Sequence, residues 1–259
     1  MSTMIDFPIA ELGCLRKYPS SLTFQGELSL LHQRKISIVG SRKPDVYTQH
    51  ILHRLSAGLA RLGMVIVSGG AMGCDAIAHR AAGPANTIAV LPCGINVRYP
   101  AINRHLLEDI GKHGLLISQF EENAKATKWS FVVRNEIVVA LGEILVIAQA
   151  DLNSGSMRSA ELAMEMGKPI YVLPHRIGES EGTNRLLAEG KAEAIYDIDA
   201  FLERYRTRET VDDLEDPFWS FCSTMPTFEA AKAKFGERLF EAELEGRIEI
   251  RNGKVLVVR

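Results

Sequence analysis

The sequence has no apolar run long enough to cross a bilayer, although 46% of its 259 residues are hydrophobic. A membrane-spanning helix needs about 20 consecutive apolar residues. The first residues, Met-Ser-Thr-Met-Ile-Asp-Phe, also lack the basic and apolar stretches of a secretory signal peptide. We therefore expect a globular, cytoplasmic protein with no membrane insertion.

Cysteine is scarce, and the four residues present are widely spaced, with none in a Cys-x-x-Cys pair: Cys14, Cys74, Cys93 and Cys222. This pattern argues against a disulfide framework and against a zinc site. We expect reduced thiols, no bound metal and no cofactor. Excess positive charge is missing too, because the formal net charge is −2. Binding of nucleic acid would therefore depend on a local basic patch.

What the chain does contain is a regular alternation of short apolar runs and amphipathic stretches from Lys35 onward. The runs predict six strands, at residues 36–39, 64–67, 87–91, 115–118, 144–148 and 170–173. Because the runs are continuously apolar, helices should cover both faces of the sheet, as in a parallel doubly wound α/β fold. Apolar residues at helical spacing behind Asp45 predict the first of these helices, ending at Gly63. A short strand near 194–196 and a helix over 198–205 would close the domain.

Composition divides the chain into four parts. Residues 1–34 have too few apolar positions for a core of their own and should pack on the main domain, residues 35–206. Residues 207–216 are polar and charge-rich and are predicted to be a linker. Residues 217–259 form a small separate domain.

The small domain has the outline of a winged helix. Two short helices are predicted over 227–235 and 237–245, followed by a hairpin over 246–258. Asn252-Gly253 is typical of a type I′ turn, which would place Ile250 opposite Val255 and Ile248 opposite Val257. The second helix carries several glutamates, so we expect it to repel phosphates and to contact protein rather than duplex DNA.

Small residues follow three of the predicted strands of the main domain. The turns are Gly40-Ser41-Arg42, Ser68-Gly69-Gly70 and Ser154-Gly155-Ser156. Glycine lets backbone N–H groups approach an anion closely, and the next helix points its positive dipole end to the same place. Three such turns together predict a polyanionic or nucleotide ligand.

The order of these and other short motifs resembles the DprA/Smf family of DNA-processing proteins, over roughly residues 18–196. The motifs are Tyr18-Pro19, Ile38-Val39-Gly40-Ser41-Arg42, Ser68 to Asp75 with His79, Tyr99-Pro100, Phe131 with Arg134-Asn135, Ser154-Gly155-Ser156 and Gly182-Thr183-Asn184. The resemblance implies an extended Rossmann-like, mostly parallel sheet and a non-enzymatic homodimer. It also implies binding of single-stranded DNA and help in loading RecA recombinase during natural transformation.

The chain departs from the family pattern in three places. Cys74 stands where isoleucine is frequent, Glu136 stands where a second arginine is frequent, and Pro174-His175 replaces a common Pro-Gly.

The resemblance places DNA-binding residues in the three turns and in the segment before and within the Arg134 helix. They are Gly40, Ser41, Arg42, Gly69, Gly70, Lys128, Phe131, Arg134, Asn135, Ser154, Gly155 and Ser156. A planar guanidinium at the carboxyl edge of the sheet can bind a phosphate bidentately or stack on a base.

Several of these positions also have structural alternatives. Arg42 could instead be a surface arginine paired with a carboxylate. Trp129 could be a stacking ring or a core residue, and Arg134-Asn135 could fix a loop by hydrogen bonds. Asp75 and His79 lie four residues apart on a helix, for which structural hydrogen bonding is favoured over catalysis.

Two enzymatic alternatives stay open at this point. A nucleotide hydrolase of the lysine-decarboxylase-like group would need a Pro-Gly-Gly-x-Gly-Thr-x-x-Glu loop, whereas this chain has Asn153-Ser154-Gly155-Ser156-Met157-Arg158-Ser159. A nicotinamide dehydrogenase would need Gly-x-Gly-x-x-Gly after the first strand, and the chain lacks it.

Overall fold

The computed structural model describes residues 3–206, 216–222, 224–244, 247–251 and 253–257. The chain falls into two compact units, Met1–Tyr205 and Arg206–Arg259. Of the predicted linker, residues 207–215 lie outside the described residues.

A single sheet of nine strands organises the first unit. The strands are β1 Thr3–Met4, β2 Thr23–Gly26, β3 Lys35–Val39, β4 Val65–Ser68, β5 Thr87–Val90, β6 Leu115–Ser118, β7 Leu145–Ile147, β8 Ile170–Val172 and β9 Glu193–Ala194. Their order is β1-β2-β6-β5-β4-β3-β7-β8-β9. Pairing is parallel from β6 to β9 and antiparallel at β1 and β2. The predicted mostly parallel α/β sheet is confirmed.

Helices cover both faces of this sheet. They are α1 Val46–Arg61, α2 Cys74–Ala82, α3 Arg104–His113, α4 Lys128–Leu141, α5 Gly155–Glu165, α6 Glu181–Ala188 and α7 Ile198–Glu203. Apolar side chains of α4, α5 and α6 pack in one cluster, and those of α1, α2 and α7 pack in another. Successive residues of a strand pack in different clusters: Ile66 lies in the second cluster and Val67 in the first. Burial on both faces explains why the strands read as continuous apolar runs.

The first helix shows how local sequence sets the element boundaries. Asp45 caps α1, because its side chain accepts a hydrogen bond from the Thr48 N–H at 2.6 Å. After the helix, Gly63 adopts a φ of +75°, which favours glycine. Both predicted ends of this helix are confirmed.

The N-terminal segment extends the sheet. Strand β2 pairs with β6, and β1 pairs with β2. Ile9, Leu12 and Leu22 of this segment are buried in the same cluster as β4 and β5. The sequence did not predict β2, because Thr-Phe-Gln-Gly lacks the continuous apolar run of the central strands.

The second unit has its own small core. Its helices are α8 Pro217–Cys222, α9 Phe228–Phe235 and α10 Glu237–Leu244, and its hairpin strands are β10 Ile248–Arg251 and β11 Lys254–Val257. Buried residues from all five elements pack together: Phe218, Trp219, Cys222, Ala231, Leu239, Ala242, Ile248 and Val255.

The hairpin has the predicted register, with Ile250 opposite Val255 and Ile248 opposite Val257. Asn252, on which the type I′ assignment depends, lies outside the described residues. The first helix, α8, was not predicted from sequence. Its signal was Asp216 before Pro217, since the Asp216 carboxylate accepts the Phe218 N–H at 2.9 Å and proline is favoured at the first helical position. The winged-helix identity of this unit stays a prediction.

Within the described part of the chain, no helix combines the length and apolarity that crossing a membrane requires.

Candidate functional site

The strand order reverses at β3, which has β4 on one side and β7 on the other. The loops that leave the carboxyl ends of β3 and β7 diverge at such a switch point, and open α/β sheets bind ligands in the crevice between them. A cavity of about 460 Å³ lies here, lined by residues that follow both strands.

Most of the predicted site residues meet in this cavity. Those that line it are Gly40, Ser41, Arg42, Phe131, Arg134, Asn135, Ser154, Gly155 and Ser156. Gly69 lines a smaller adjoining cavity that shares Arg42 and Phe131. Gly70 and Lys128 line neither of these two cavities. The structure thus brings most of the predicted residues together in one cavity, while ligand contact by each residue stays a prediction.

Arg42 is an exposed cation without a carboxylate partner among the described residues. Its guanidinium carbon lies 5.2 Å from the centre of the Phe131 ring. Stacking of this kind holds the planar group against the ring while its N–H donors stay open. The alternative of a salt-bridged surface arginine is therefore not observed.

Tyr99 completes this aromatic wall. Its ring meets Phe131 edge-on, with centroids 5.8 Å apart, and 42% of the residue is exposed. The sequence contained a signal, since Tyr99-Pro100 belongs to the matched motifs, but Tyr99 was not among the predicted site residues. It borders the smaller cavity and is not among the residues that line the main one.

The N-terminus of α5 supplies the cavity with backbone donors. Ser154 is the N-cap, and its hydroxyl accepts the Met157 N–H. Because the helix begins at Gly155, the N–H groups of Gly155 and Ser156 have no intrahelical acceptor. Together with the helix dipole, these groups favour an anion at this end of the cavity.

The Gly40-Ser41 turn is used differently from the way its sequence suggests. The Ser41 N–H donates to the Gln149 carbonyl at 2.8 Å, so it is already engaged. A β-carbon at Gly40 would lie 2.6 Å from the Cys74 sulfur. Glycine here permits close packing of α2 on the end of β3. The main contribution of this turn to the cavity is the Arg42 side chain, since the Ser41 N–H is not free to bind a ligand.

The Gly69-Gly70 turn is likewise occupied from within. The Asp75 carboxylate accepts the N–H groups of Gly69 at 3.1 Å and Ala71 at 3.2 Å. Burial raises the pKa of Asp75, and Arg134 together with these hydrogen bonds opposes that rise. Two backbone donors of this turn are therefore not available to an external phosphate.

Arg134 lines the cavity but is only 5% exposed. Its guanidinium donates to the carbonyl of Gly69 and, at 2.8 Å, to the carbonyl of Val90. Its Nε donates to the Asn135 side-chain oxygen at 3.1 Å. These contacts tie together the carboxyl ends of β4 and β5 and support the structural alternative for this pair.

The segment before Arg134 is held by a capping box at the start of α4. The Thr127 hydroxyl accepts the Ser130 N–H, and the Ser130 hydroxyl accepts the Thr127 N–H. Lys128 is exposed, and Trp129 is 67% exposed with its ring edge-on to Phe120. Trp129 is therefore not a core residue, and its face is accessible for stacking.

The catalytic interpretation of Asp75 and His79 gains no support from their contacts. Both are buried, and His79 Nδ1 lies 2.5 Å from the Thr87 hydroxyl, whereas Asp75 binds backbone N–H groups. Each side chain thus makes structural hydrogen bonds to its own partners.

His79 provides a test of this structural role, because burial lowers its pKa to about 3. The unfolded chain, with a histidine pKa of about 6.5, binds more protons between these values, so the free energy of unfolding should fall as pH decreases below 6.5. The slope approaches about 1.4 kcal/mol per pH unit. Denaturant unfolding of the wild type and His79→Gln should show a smaller pH dependence for the variant. If the free energy of unfolding had the same pH dependence in the wild type and in His79→Gln, the assignment of His79 as a neutral buried histidine would be contradicted.

Two carboxylates line the main cavity, and neither matches the glutamate of the hydrolase loop. Asp75 is buried and already hydrogen-bonded, whereas Asp151 is exposed. No glutamate lines this cavity among the residues that the structure describes. The geometry therefore offers no counterpart to the hydrolase carboxylate at its expected spacing.

In the second unit, the charge of α10 agrees with the sequence argument. Glu237 and Glu241 lie on this helix, and its Arg238 pairs with Asp216. A helix with this charge would be repelled by a phosphate backbone. Contact with protein rather than duplex DNA stays our prediction for the unit.

Comparison with known proteins gives one consistent family. The sequence profile of DNA recombination-mediator protein A matches residues 4–206. The chain is 34% identical over 195 residues to DNA processing protein DprA of Bacillus subtilis, covering 73% of this chain and 65% of the relative. It is 36% identical over 176 residues to DprA of Streptococcus pneumoniae, covering 66% of this chain and 62% of the relative.

Two solved structures agree in fold. DNA processing protein A from Helicobacter pylori, described for its single-stranded DNA binding mode, superposes with a TM-score of 0.77 and 39% identity, over 79% of this chain and 95% of that one. DprA from Streptococcus pneumoniae superposes with a TM-score of 0.73 and 32% identity, over 80% of this chain and 75% of that one.

The matched region spans 65% or less of the length of the curated relatives named here. The family profile nevertheless covers the nine-stranded sheet except Thr3 of β1, and it covers every residue of the main cavity. The chain belongs to the DNA recombination-mediator protein A family, the DprA/Smf proteins.

Proposed function

We propose that the chain is a non-enzymatic, single-stranded DNA-binding recombination mediator that acts in natural transformation. The observation that carries the proposal is the combination of groups in one cavity. Arg42, lying on the ring of Phe131, shares that cavity with the open N-terminus of α5.

Each component of the cavity suits one part of a nucleic acid strand. The guanidinium and the helix N-terminus bind phosphate oxygens. The Phe131 ring of the cavity, together with the exposed Tyr99 and Trp129 rings outside it, offers faces on which unpaired bases stack in any sequence. Bases of a duplex are already stacked on each other, so this combination favours a single strand.

Support also comes from the Helicobacter pylori relative, whose single-stranded DNA binding mode has been described and which is 39% identical to this chain. The cavity belongs to the part of the chain that matches the family profile.

The testing experiment is a fluorescence anisotropy titration with matched single-stranded and double-stranded oligonucleotides at several salt concentrations. We expect tighter binding of the single strand. Its affinity should fall as salt rises, with a log–log slope of about −0.7 for each neutralised phosphate. Equal or tighter binding of the duplex would contradict the proposal. An affinity that did not change with salt concentration would exclude the Arg42 guanidinium as a phosphate contact.

Homodimerisation and the loading of RecA recombinase are further parts of the proposal, and they rest on family membership alone. A monomer mass measured by light scattering of the purified chain would refute homodimerisation. The second would be refuted if the chain left RecA strand exchange unchanged on DNA coated with single-strand-binding protein.

The alternative function is nucleotide hydrolysis by the lysine-decarboxylase-like mechanism. It would be favoured if the purified chain released base from nucleoside monophosphates and the release stopped when Asp151 was replaced by asparagine.

A further inference from the structure

The structure assigns a second, separate site to this chain: a binding site for a divalent transition metal, formed by Asp45, His175 and Glu179. Each residue offers one ligand atom, and the three atoms lie within 4.8 Å of one another. None of the three lines the main cavity. The sequence analysis had predicted no metal site.

His175 is the residue that points to a metal. Its side chain is fully buried, yet Nδ1 has no hydrogen-bond partner among the described residues. Leaving a buried polar atom unpaired is costly, so such an atom calls for an explanation.

The tautomer of His175 makes Nδ1 a ligand. Its Nε2 lies 2.9 Å from the carbonyl oxygen of Ala148, which can only accept, so Nε2 carries the proton of this hydrogen bond. Nδ1 of the neutral ring then bears a lone pair. A backbone carbonyl that orients the second nitrogen is the usual arrangement around a metal-binding histidine.

Asp45 has a free oxygen facing this lone pair. Its Oδ1 accepts the Thr48 N–H as the cap of α1, while its Oδ2 lies 3.8 Å from His175 Nδ1. That separation is too long for a hydrogen bond. Zinc–ligand bonds of about 2.0–2.2 Å at tetrahedral angles place two ligand atoms about 3.4 Å apart, so a small inward movement would complete the pair.

Glu179 comes from a turn that is held in place. The Asn184 side chain donates to the carbonyls of Arg176 at 3.1 Å and Glu179 at 2.9 Å. The Glu179 carboxylate is exposed, which leaves room for water as a further ligand.

The donor set suggests the class of ion. One imidazole and two carboxylates suit Zn²⁺ and its first-row neighbours better than Mg²⁺ or Ca²⁺, which prefer oxygen ligands.

The inference is tested by calorimetric titration of the full chain, stripped with a chelator, with Zn²⁺ alone. We expect one saturable site per chain and a rise in melting temperature on binding. Glu179→Gln and Asp45→Asn should each weaken Zn²⁺ binding about tenfold or more. Mutation of residues that only support a metal ligand already costs about 10- to 100-fold in metal affinity, and loss of a ligand itself should cost at least the lower value. Asparagine caps a helix as well as aspartate does, so Asp45→Asn keeps the fold of α1. His175→Gln should abolish the site.

His53→Gln, which removes an exposed histidine of α1, is the matched control and should bind Zn²⁺ as the wild type does. Absence of saturable binding in the wild type would overturn the inference. So would binding that survives both carboxylate substitutions, because the ion would then lie elsewhere. Since Glu179 is exposed, loss of its contribution cannot be confused with unfolding.

Discussion

Replacing Gly155 by aspartate is expected to weaken binding of single-stranded DNA about 30- to 100-fold while leaving the fold intact. A side chain fits at this position, because a β-carbon there would meet nothing within 4 Å. An aspartate in the first helical turn is itself favourable with the helix dipole. It would place a negative charge where we expect a phosphate, and such like-charge contacts cost several kcal/mol.

Gly155→Asn is the matched control, because asparagine has nearly the same size and no charge. We expect this variant to lose only a few-fold in affinity. Anisotropy titration of both variants at one salt concentration, with melting temperatures measured in parallel, separates charge from bulk. If the two variants bind equally well, the N-terminus of α5 is not a phosphate site.

The sequence was sufficient to predict the central parallel strands, because each of them is buried on both faces. Runs such as Leu145 to Ile147 contain no polar residue, so their type and position could be predicted directly. The hairpin register was predictable for the opposite reason, since alternation fixes which residues of β10 and β11 face the core. Strand β2 and helix α8 were missed because each is short and is defined by its partner or cap rather than by periodicity.

The candidate site was predicted in composition but not in the use of its donors. Glycine turns after β3 and β4 look equally suited to an anion, and the sequence does not show that Asp75 and the Gln149 carbonyl already bind their N–H groups. At α5, by contrast, the N–H groups of Gly155 and Ser156 have no intrahelical acceptor, and both residues line the cavity. Burial of Arg134 depends on packing between distant segments, which a single sequence does not encode in any local pattern.

The same reasoning explains why the inferred metal site left no motif. Asp45 and His175 are brought together by the loops that follow β3 and β8, although they are 130 positions apart in the sequence. Metal motifs are recognisable when the ligands share one helix or one turn. Here only Glu179 is close in sequence to His175.

Arg42→Ala is the second substitution for which we expect a large effect, a loss of about 10- to 100-fold in single-strand affinity. Hydrogen bonds from a charged donor contribute about 1.5–3 kcal/mol, and a phosphate contact would be of this kind. Stability should hardly change, because Arg42 is exposed and its contact in the fold is the Phe131 ring. The log–log salt slope should become shallower by about one phosphate contact.

Phe131→Ala separates stacking from charge at the same place. It should lower affinity by a comparable factor, since stacking of a base on a ring is worth about 1–3 kcal/mol, yet leave the salt slope nearly unchanged. Arg54→Ala is the control for loss of a positive charge, because Arg54 is paired with Asp199 and does not line the cavity. A shift in slope for Phe131→Ala equal to that of Arg42→Ala would mean that the ring acts by holding the guanidinium rather than by stacking on a base. Normal binding by Arg42→Ala would instead remove the cavity from the DNA-binding surface.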